Sequence, residues 1–440
     1  MTSPGAQSHS SSSALAILAA ALATLVADSS VRPSLPTWVT SGFAPEARTR
    51  APRAVAMLTS ATLGAPAGTP EGCIPLWQAG GVTEAVLLVG GQGTRLRPLT
   101  NNTPKPMLPV AGVPFTVHQI TRARDAGVTR IVLATSYRAD TFRAFMDDAD
   151  LGIEVVIATE DEPLGTGGAI RHALPHLTSG PDDPVLIFNG DILTGLDIDG
   201  LVQRHVQADA DVTLYLTRVD DPRAYGLVPL DADGRVTAFL EKPSTPEEIV
   251  TDLINAGCYV FRRSVIDSIP AGRPVSVERE TFPGLLSSGA HVRGVVDDGY
   301  WLDLGTPLAF VRGSCDLVLG TAPSPAVMRT GASLVLDGAQ VDPSAVVSGG
   351  SVIGAGAVVG PQALVDGSVV FADVEIAEGA RVRDSIVGAG AVIGAGTVLT
   401  GAVIGDGAVI GRDNELLTGA RVWPGATLAD TAVRFSSDRS

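Results

Sequence analysis

Short apolar runs alternate with amphipathic stretches through the middle of the chain. The first run, residues 84–89, is followed by Gly90 and Gly91, which is typical of a buried strand that ends in a tight loop. Comparable runs lie at residues 130–134, 153–158, 185–188, 212–217, 236–240, 258–261 and 292–296, with helical stretches at 114–126 and 141–149. This alternation predicts a doubly wound, Rossmann-like α/β domain built on parallel strands.

Helix start and stop signals mark the end of this α/β domain. Thr306 and Pro307 suit the N-cap and the first turn of a closing helix, and Gly320 suits its end. Residues 321–325 have the composition of a linker. We therefore predict an α/β domain over residues 82–320 and a second domain over residues 321–440.

The second domain carries a six-residue period. Aliphatic residues recur in steps of six from Val346 to Val382 and again from Ile386 to Val422, with a four-residue phase change between the two series. One large aliphatic residue in every six, among many glycines, predicts a left-handed parallel β-helix of hexapeptide repeats with one inward side chain per face. Independent hairpins would instead alternate with period two.

Residues 1–81 are rich in Ser, Ala, Pro and Thr and have no sustained periodicity. We expect a disordered or low-complexity extension there, with at most one short helix over residues 14–27. That apolar run is too short to span a bilayer, and no Lys or Arg precedes it as in a secretory signal. No membrane association is predicted.

The charge balance limits the possible partners. The chain has 31 Lys and Arg against 47 Asp and Glu, a net charge of -16, which disfavours a general nucleic-acid binder. Phosphate chemistry would therefore depend on a few local cations. Cys73, Cys258 and Cys315 lie far apart, which argues against a cysteine zinc site or a disulfide framework and favours a cytoplasmic location.

A glycine-rich loop follows the first predicted strand. It reads Gly90-Gly-Gln-Gly-Thr-Arg95, and Lys105 follows between two prolines. The loop lacks the third glycine of a dinucleotide fingerprint, where Leu96 stands, and the Gly-Lys pair of a P-loop. Tight packing could explain the glycines alone. With Arg95 as a bidentate donor and Lys105 as a point charge, the more specific interpretation is a phosphate site.

Seven motifs, taken in order, resemble those of one enzyme family. They lie at residues 90–100, 104–109, 162–168, 189–191, 241–243, 255–259 and 300–306. Over about residues 84–312 they resemble the signature of the sugar-1-phosphate nucleotidylyltransferases, in which a hexapeptide tail is a common companion. Within that family the chain is most similar to the mannose-1-phosphate guanylyltransferases. Residues 1–81 have no counterpart in this resemblance.

The resemblance implies an enzyme that joins an NTP to a sugar-1-phosphate and releases pyrophosphate, with GTP and mannose-1-phosphate as the favoured substrates. It assigns the triphosphate to Arg95 and Lys105, the phosphate of the sugar to Lys242, and a shared Mg²⁺ to Asp191 and Asp303. It assigns the nucleotide to Gly90, Gly91, Gly93, Thr94, Glu160 and Gly165, and the sugar hydroxyls to Gly226, Glu241 and Asn255. Such chemistry needs anions held in line and charge neutralised, with little covalent help from the protein.

The two aspartates can also be judged on their chemistry. Asp191 stands in a good turn sequence, Asn-Gly-Asp, and Asp303 could pair with a surface arginine, so structural roles stay open. If the two converge at carboxyl ends of strands, carboxylates about 4 Å apart repel by about 4 kcal/mol at an effective dielectric near 20. A hard cation such as Mg²⁺, shared with substrate phosphates, would remove that repulsion.

Base preference can be argued from hydrogen bonding. Guanine presents two adjacent donors that suit an acceptor-only carboxylate, whereas uracil or thymine suits a glutamine amide. Glu160 stands where family members contact the base, with no glutamine nearby, and Gly165 would allow close approach of the backbone. Asp161 and Glu162 keep open the alternative of an acidic surface loop. Nothing in the three sugar residues separates mannose from glucose.

Other functions stay open at this point: thymidylyl, uridylyl or adenylyl transfer to glucose-1-phosphate, acyl transfer on the β-helix, or a catalytically silent regulatory homologue. Hexapeptide acyltransferases use a catalytic histidine, and all six histidines precede residue 292, so the general base is missing. A silent homologue would be expected to lose charged site residues, which are all present. The open ends and flat faces of a β-helix predict a homo-oligomer.

Overall fold

The computed structural model describes residues 84–327 and 330–435, and the extension predicted over residues 1–81 lies outside them. The α/β domain has helices α1 Phe115–Asp125, α2 Ala139–Asp148, α3 Gly165–Ala173, α4 Ile198–Gln207, α5 Arg263–Ser268, α6 Phe282–Ser287 and α7 Pro307–Leu319. Its strands are β1 Glu84–Leu88, β2 Pro109–Val110, β3 Val113–Pro114, β4 Arg130–Thr135, β5 Glu154–Thr159, β6 Pro184–Asn189, β7 Ile192–Thr194, β8 Val212–Arg218, β9 Gly226–Leu227, β10 Leu240–Glu241, β11 Leu253–Arg262, β12 Val292–Val296 and β13 Trp301–Asp303. None of the described helices is long and apolar enough to cross a membrane.

The main sheet of this domain has the order β10-β9-β11-β6-β1-β4-β5, with β8 and β12 beyond β11. Strands β6, β1, β4 and β5 are parallel neighbours, as predicted. Strand β11 instead runs antiparallel to both β6 and β8. A parallel return needs a crossover, usually a helix, and no α-helix lies between β8 and β11. The α/β class is therefore confirmed, and the expectation of parallel strands holds for β8 with β12 but is wrong for β9, β10 and β11.

The strand predicted over residues 236–240 is mostly absent. Only Leu240–Glu241 pairs as a strand, and Val236 makes an isolated bridge to Leu230. Pro229 has no N–H to donate and lies opposite this segment, where its carbonyl accepts from Thr237 N, so the ladder is interrupted. The closing helix is confirmed in detail, because the Thr306 side chain accepts from Ala309 N and Gly320 ends the helix at φ 79°.

The second domain consists of short strands stacked in three parallel sheets, a pattern that fits the predicted left-handed β-helix. The strands are β14 Ser333–Val335, β15 Gln340–Val341, β16 Val346–Ser348, β17 Ser351–Ile353, β18 Val358–Val359, β19 Leu364–Asp366, β20 Val369–Val370, β21 Glu375–Ile376, β22 Arg381–Arg383, β23 Ile386–Val387, β24 Val392–Ile393, β25 Val398–Thr400, β26 Val403–Ile404, β27 Val409–Ile410, β28 Glu415–Leu416, β29 Arg421–Val422 and β30 Thr427–Leu428.

The central coils of the β-helix are shorter than three hexapeptides, whereas the first and last coils take 18 residues. Along one sheet Val352 pairs with Val369, Val369 with Ile386 and Ile386 with Val403, so each of these coils takes 17 residues. Relative to a strict six-residue step, the position whose side chain points inwards therefore shifts by one residue in each of these coils. Of the fourteen residues predicted to point inwards, seven line the interior: Val370, Ile376, Val382, Ile404, Ile410, Leu416 and Val422. The prediction is wrong for the other seven, which include Val346, 53% exposed.

Two buried histidines in the α/β domain make its stability depend on pH. His118 contacts Val110 O at 2.9 Å and Ser324 Oγ at 2.7 Å, and His205 contacts Thr213 Oγ1 at 2.9 Å. Burial lowers the pKa of both to about 4. Both histidines are therefore structural groups that stay neutral in the folded protein at neutral pH.

We predict that the protein loses stability as the pH falls from about 6.5 towards about 4. In the unfolded chain these two histidines take up protons in this range, because they titrate near their usual pKa, whereas in the folded chain they stay neutral until about pH 4. Between about pH 7.5 and 5.5 the loss should be about 1 kcal/mol per histidine. Denaturant unfolding of wild type and His118→Gln checks this: the variant should lose about 1 kcal/mol less. An equal loss in both proteins would contradict it.

Candidate active site

A cleft of about 350 Å³ opens at the carboxyl ends of the parallel strands of the α/β domain. Open α/β sheets bind ligands at this edge, because the loops after successive strands meet there. The predicted site residues in its wall are Gly90, Gly91, Lys105, Glu160, Gly165 and Asp191. Gly93, Thr94 and Arg95 do not line the cleft and belong to the loop beside it.

The glycine-rich loop is folded against the stem of Lys105. Gly93 has φ 61°, and a Cβ there would lie 2.8 Å from Lys105 Cβ and 3.0 Å from Thr100 Cγ2. The Thr100 hydroxyl donates to Gly93 O at 2.9 Å. Thr94 and Arg95 follow in a 3₁₀ turn, Thr94–Leu96, whose last residue is buried. At Gly93 the loop therefore needs glycine to bring Lys105 to the cleft, whereas at Gly91 a Cβ would meet open space.

Asp191 and Asp303 are brought together by a two-stranded sheet. Strand β7, which follows Asp191 directly, pairs with β13, so that Ile192 lies opposite Asp303. Leu304 N also donates to Asp191 O at 2.9 Å. Lys105 Nζ lies 2.8 Å from Asp191 Oδ2 and 4.0 Å from Asp303 Oδ1. The convergence that the sequence left open is thus present, with an ammonium group between the two carboxylates.

Asp303 is held in an unfavourable electrostatic position. Burial raises the pKa of its carboxyl group, the charge of Asp191 raises it further, and Lys105 and Arg95 act in the opposite direction. A hydrogen bond from the Gly305 backbone also favours the charged form of this carboxyl group, but its Oδ1 is buried and has no hydrogen-bond partner within residues 84–327 and 330–435. A buried acceptor without a partner is costly, so this oxygen is suited to accept a further cation.

The donor set also limits what kind of metal site this could be. Among the described residues there is no group of three or more His, Cys, Asp or Glu that could hold a metal alone. Two carboxylates of the kind seen here fit a hard cation that takes its other oxygens from phosphates and water. The residues present therefore fit a divalent cation that binds together with its phosphate ligand.

Arg95 lies beside the acidic pair. A Cβ placed on Gly305 would be 2.9 Å from Asp303 Oδ1 and 3.3 Å from Arg95 Cζ. The guanidinium is exposed, so a ligand can reach it from solvent. Arg95, Lys105 and the two aspartates thus form one cluster of charges at the mouth of the cleft.

Gly226 and Glu241, two of the predicted sugar residues, lie on neighbouring strands at one edge of the sheet, and Lys242 follows Glu241 directly. Gly226 pairs with Glu241, and a Cβ on Gly226 would lie 2.9 Å from Glu241 Oε2. Lys242 N donates to Tyr225 O at 3.0 Å. The Lys242 side chain is 60% exposed and lies 3.5 Å from Glu241 Oε1. The Tyr225 ring packs edge-on against Trp301, with 5.4 Å between ring centroids, and Trp301 begins the strand that ends at Asp303. Burial raises the pKa of Tyr225, and the charge of Asp303 adds to this.

Asn255 lies on β11 at a break in the pairing with β8. Its Nδ2 donates to Tyr259 OH at 2.8 Å, and its Oδ1 accepts from Gly257 N at 3.1 Å. The preceding residue, Ile254, pairs with Leu227 of β9, which places Asn255 near the Gly226 strand. The structure therefore brings the three predicted sugar residues to adjacent strands.

Glu160 differs from its acidic neighbours. It is 5% exposed and lines the cleft, whereas Asp161 and Glu162 are exposed. Its Oε2 accepts from Leu164 N at 2.8 Å, so it also holds the loop that leads into α3. Burial raises the pKa of this carboxyl group, and the Leu164 hydrogen bond opposes the shift.

The glycines at the start of α3 are explained by a neighbouring segment. A Cβ on Gly165, which has φ 70°, would lie 2.7 Å from Val275 O. The same carbonyl accepts from Gly167 N at 2.8 Å and from Gly168 N at 3.2 Å. Val275 thus satisfies N–H groups at the first turn of the helix that would otherwise be free for an anion. This packing is one reason for glycine at Gly165, which also lines the cleft, and the approach of a base to it stays a prediction.

Comparison with known proteins decides the family. The family model described as nucleotidyl transferase matches residues 84–318, and that described as GMPPB C-terminal domain matches residues 329–436. The chain belongs to the nucleotidyl transferase family. The matched region contains the cleft and the acidic pair, and members of this family generally use a divalent metal.

Similar proteins include both curated enzymes and solved structures. A mannose-1-phosphate guanylyltransferase of Mycobacterium tuberculosis is 52% identical over 358 residues, which cover 81% of this chain and 98% of that protein. The mannose-1-phosphate guanylyltransferase catalytic subunit beta of Drosophila pseudoobscura pseudoobscura is 39% identical over 243 residues, which cover 55% of this chain and 64% of that protein. HddC from Yersinia pseudotuberculosis, in complex with GMP-PN, is 30% identical with a TM-score of 0.45, over 53% of this chain and 98% of that chain.

Several residues around the nucleotidyl transferase cleft were not singled out by the sequence. Ser136 follows β4 at the same edge of the sheet and lines the cleft, and its position after a predicted strand was an available signal. Thr166 also lines the cleft, and its hydroxyl donates to Glu278 Oε2 at 2.8 Å. For Val275 and Glu278 no local signal exists, because their role depends on contacts with residues about a hundred positions earlier.

We predict that Gly165→Ala destabilises the protein by about 1–3 kcal/mol, because alanine is strained at positive φ and its Cβ would clash with Val275 O. Gly91→Ala serves as the matched control, since a Cβ there meets nothing within 4 Å. Denaturant unfolding of both variants checks this. Equal stability of the two variants would contradict the role given to Val275.

Proposed function

We propose that the chain transfers a guanylyl group from GTP to mannose-1-phosphate, giving GDP-mannose and pyrophosphate. The observation that carries this is the charge cluster at the mouth of the cleft, in which Lys105 lies within 4.0 Å of both Asp191 and Asp303. Two members of the cluster, Lys105 and Asp191, line the cleft. A relative with this activity in its name is 52% identical over 98% of its own length.

In this reaction an oxygen of the sugar phosphate forms a bond to the α-phosphorus of GTP while the bond to pyrophosphate breaks. The groups of the protein hold two polyanions in line and neutralise the leaving charge. Arg95 and Lys105 bind the triphosphate, with Gly90, Gly91, Gly93 and Thr94 shaping the loop around it. Lys242 binds the phosphate of the sugar, and its exposed ammonium is free to swing towards it.

Asp191 and Asp303 would hold Mg²⁺ together with phosphate oxygens. The unpartnered Oδ1 of Asp303 supports this assignment. The ion would neutralise negative charge on the reacting phosphates and orient them. Without substrate, the Lys105 ammonium group partly neutralises the same two carboxylates. The phosphates of the substrate would therefore compete with these carboxylates for Lys105.

Gly226, Glu241 and Asn255 bind the hexose hydroxyls. Glu241 offers carboxylate oxygens, and Gly226 leaves space beside them because a side chain there would meet Glu241 Oε2 and Phe239. Tyr259 and Gly257 fix the Asn255 amide in one orientation, and an oriented amide is a good donor and acceptor for a sugar hydroxyl. The choice of mannose rests on the relatives.

Glu160 reads the guanine base through its carboxylate. Of the three acidic residues in this loop it alone lies in the cleft wall, which favours it over the alternative of an exposed acidic loop. The Leu164 N–H occupies one lone pair of Oε2. A carboxylate has about four acceptor sites, so enough remain for the two adjacent donors of guanine.

A homo-oligomer through the β-helix is part of the proposal. Large apolar side chains on its outside support it, with Val346 53%, Val358 40% and Trp423 53% exposed. Exposed apolar groups on a solenoid favour association.

We predict pyrophosphate release from GTP with mannose-1-phosphate that exceeds release in every other pairing of four NTPs with hexose-1-phosphates. The charge cluster and Glu160 should favour this pair. Lys105→Ala should lower kcat/KM by a factor on the order of 10², because a phosphate charge loses its partner, which ties the activity to this site. Preference for UTP, TTP or ATP with glucose-1-phosphate would contradict the proposal, as would no release at all.

We predict that Glu160→Gln raises the KM for GTP about tenfold or more, because an amide offers one acceptor where guanine needs two. As the pH falls below the raised pKa of Glu160, the KM for GTP should rise more steeply in the wild type than in the variant, since protonation of Glu160 removes an acceptor that the variant does not have. Asp161→Asn is the control and should behave as wild type. If Asp161→Asn moves the GTP preference and Glu160→Gln does not, the assignment is wrong.

A further inference from the structure

The segments that carry Arg95 and Lys105 each bury apolar side chains in one hydrophobic cluster that also contains β-helix residues. Leu96 and Leu99 follow Arg95, Leu108 and Val110 follow Lys105, and all four are at most 2% exposed. The same cluster contains residues of α7 and one row of β-helix residues: Val352, Val369, Ile386 and Val403. The phosphate-binding segments therefore have their charged side at the cleft and their apolar side towards the second domain.

The four β-helix residues of this row are 17 residues apart. Its members occupy equivalent positions on successive coils of one sheet and point out of the β-helix. Outward aliphatic residues would normally be exposed, yet these four are at most 3% exposed. Helix α7 packs against β14, β17 and β20 of the same sheet. This face of the β-helix is thus an internal docking surface for the α/β domain.

Polar and backbone contacts extend this surface at both ends. On the last coil, Arg421 pairs with Val403 and continues the row, and its Nη1 donates to Arg97 O at 2.5 Å. On the first coil, Leu336 packs so closely on Gly112 that a Cβ there would lie 2.7 Å from its Cδ1. The β-helix therefore contacts the chain two residues after Arg95 and seven residues after Lys105.

We propose that this outer face of the β-helix is a functional part of the triphosphate site, in which it fixes the positions of Arg95 and Lys105. Arg421 acts as a positioning residue through the Arg97 carbonyl. Both cations stand on short 3₁₀ turns, which have few internal hydrogen bonds. Displacement of about 1 Å at a phosphate-binding cation is enough to weaken binding and catalysis. The inference rests on the proposed use of GTP.

The first test compares two isoleucines of the β-helix. Ile386 and Ile393 are both 0% exposed, but Ile386 belongs to the docking surface and Ile393 to the interior of the β-helix. Truncation to alanine removes the same groups from each. We expect Ile386→Ala to raise the Kd for GTP about fivefold or more, and Ile393→Ala to change it less than about twofold. The Kd for mannose-1-phosphate should stay within about twofold in both. Equal effects of the two variants on GTP would overturn the inference.

The second test removes the polar contact without opening a cavity. Arg421→Met should raise the Kd for GTP about threefold or more, and Arg421→Lys should raise it less, because lysine keeps a charged donor. Arg381 is an exposed arginine on another sheet, and Arg381→Met should leave the Kd unchanged. Wild-type GTP affinity in Arg421→Met would count against its positioning role. Calorimetry with GTP alone measures these values. If the wild type binds GTP but makes no GDP-mannose, the proposed function is wrong, and the GTP affinities of the variants still test the positioning role of the β-helix.

Discussion

Two carboxylates held close together in a half-buried site repel each other, and the rest of the active site is arranged around that repulsion. Asp191 and Asp303 are 37% and 22% exposed, and Lys105 lies between them. Burial and the charge of Asp191 both raise the pKa of Asp303, so keeping both carboxylates ionised costs free energy. A site that keeps this cost is suited to bind cations, and through them the phosphates of a nucleotide.

The fold secures this arrangement from several directions. The pairing of β7 with β13 sets Ile192 opposite Asp303, Gly93 lets the loop close on Lys105, and the β-helix covers the apolar backs of both segments. Each of these contacts positions at least one charged residue that is distant from it in sequence. Segments that carry the charges are therefore packed against elements of both domains.

The sequence was most informative where the signal is local. Thr306 and Gly320 marked a helix that ends where predicted, and the motifs that carry Lys105, Asp191 and Asp303 placed the charge cluster. It was less informative where long-range contacts decide. The six-residue period could not reveal a 17-residue coil, because outward Val352 and inward Val370 are equally aliphatic. The segment around Val275 carries no local signal, although it explains the glycines at the start of α3.

The most direct test of the acidic pair is a crystal structure of the protein with GDP-mannose and Mn²⁺, with the metal located by anomalous scattering. We predict a peak within about 2.5 Å of a carboxylate oxygen of both Asp191 and Asp303 and of a phosphate oxygen. The Lys105 ammonium should then bond to phosphate. A metal peak distant from either aspartate, with Lys105 still bound to Asp191, would contradict the account.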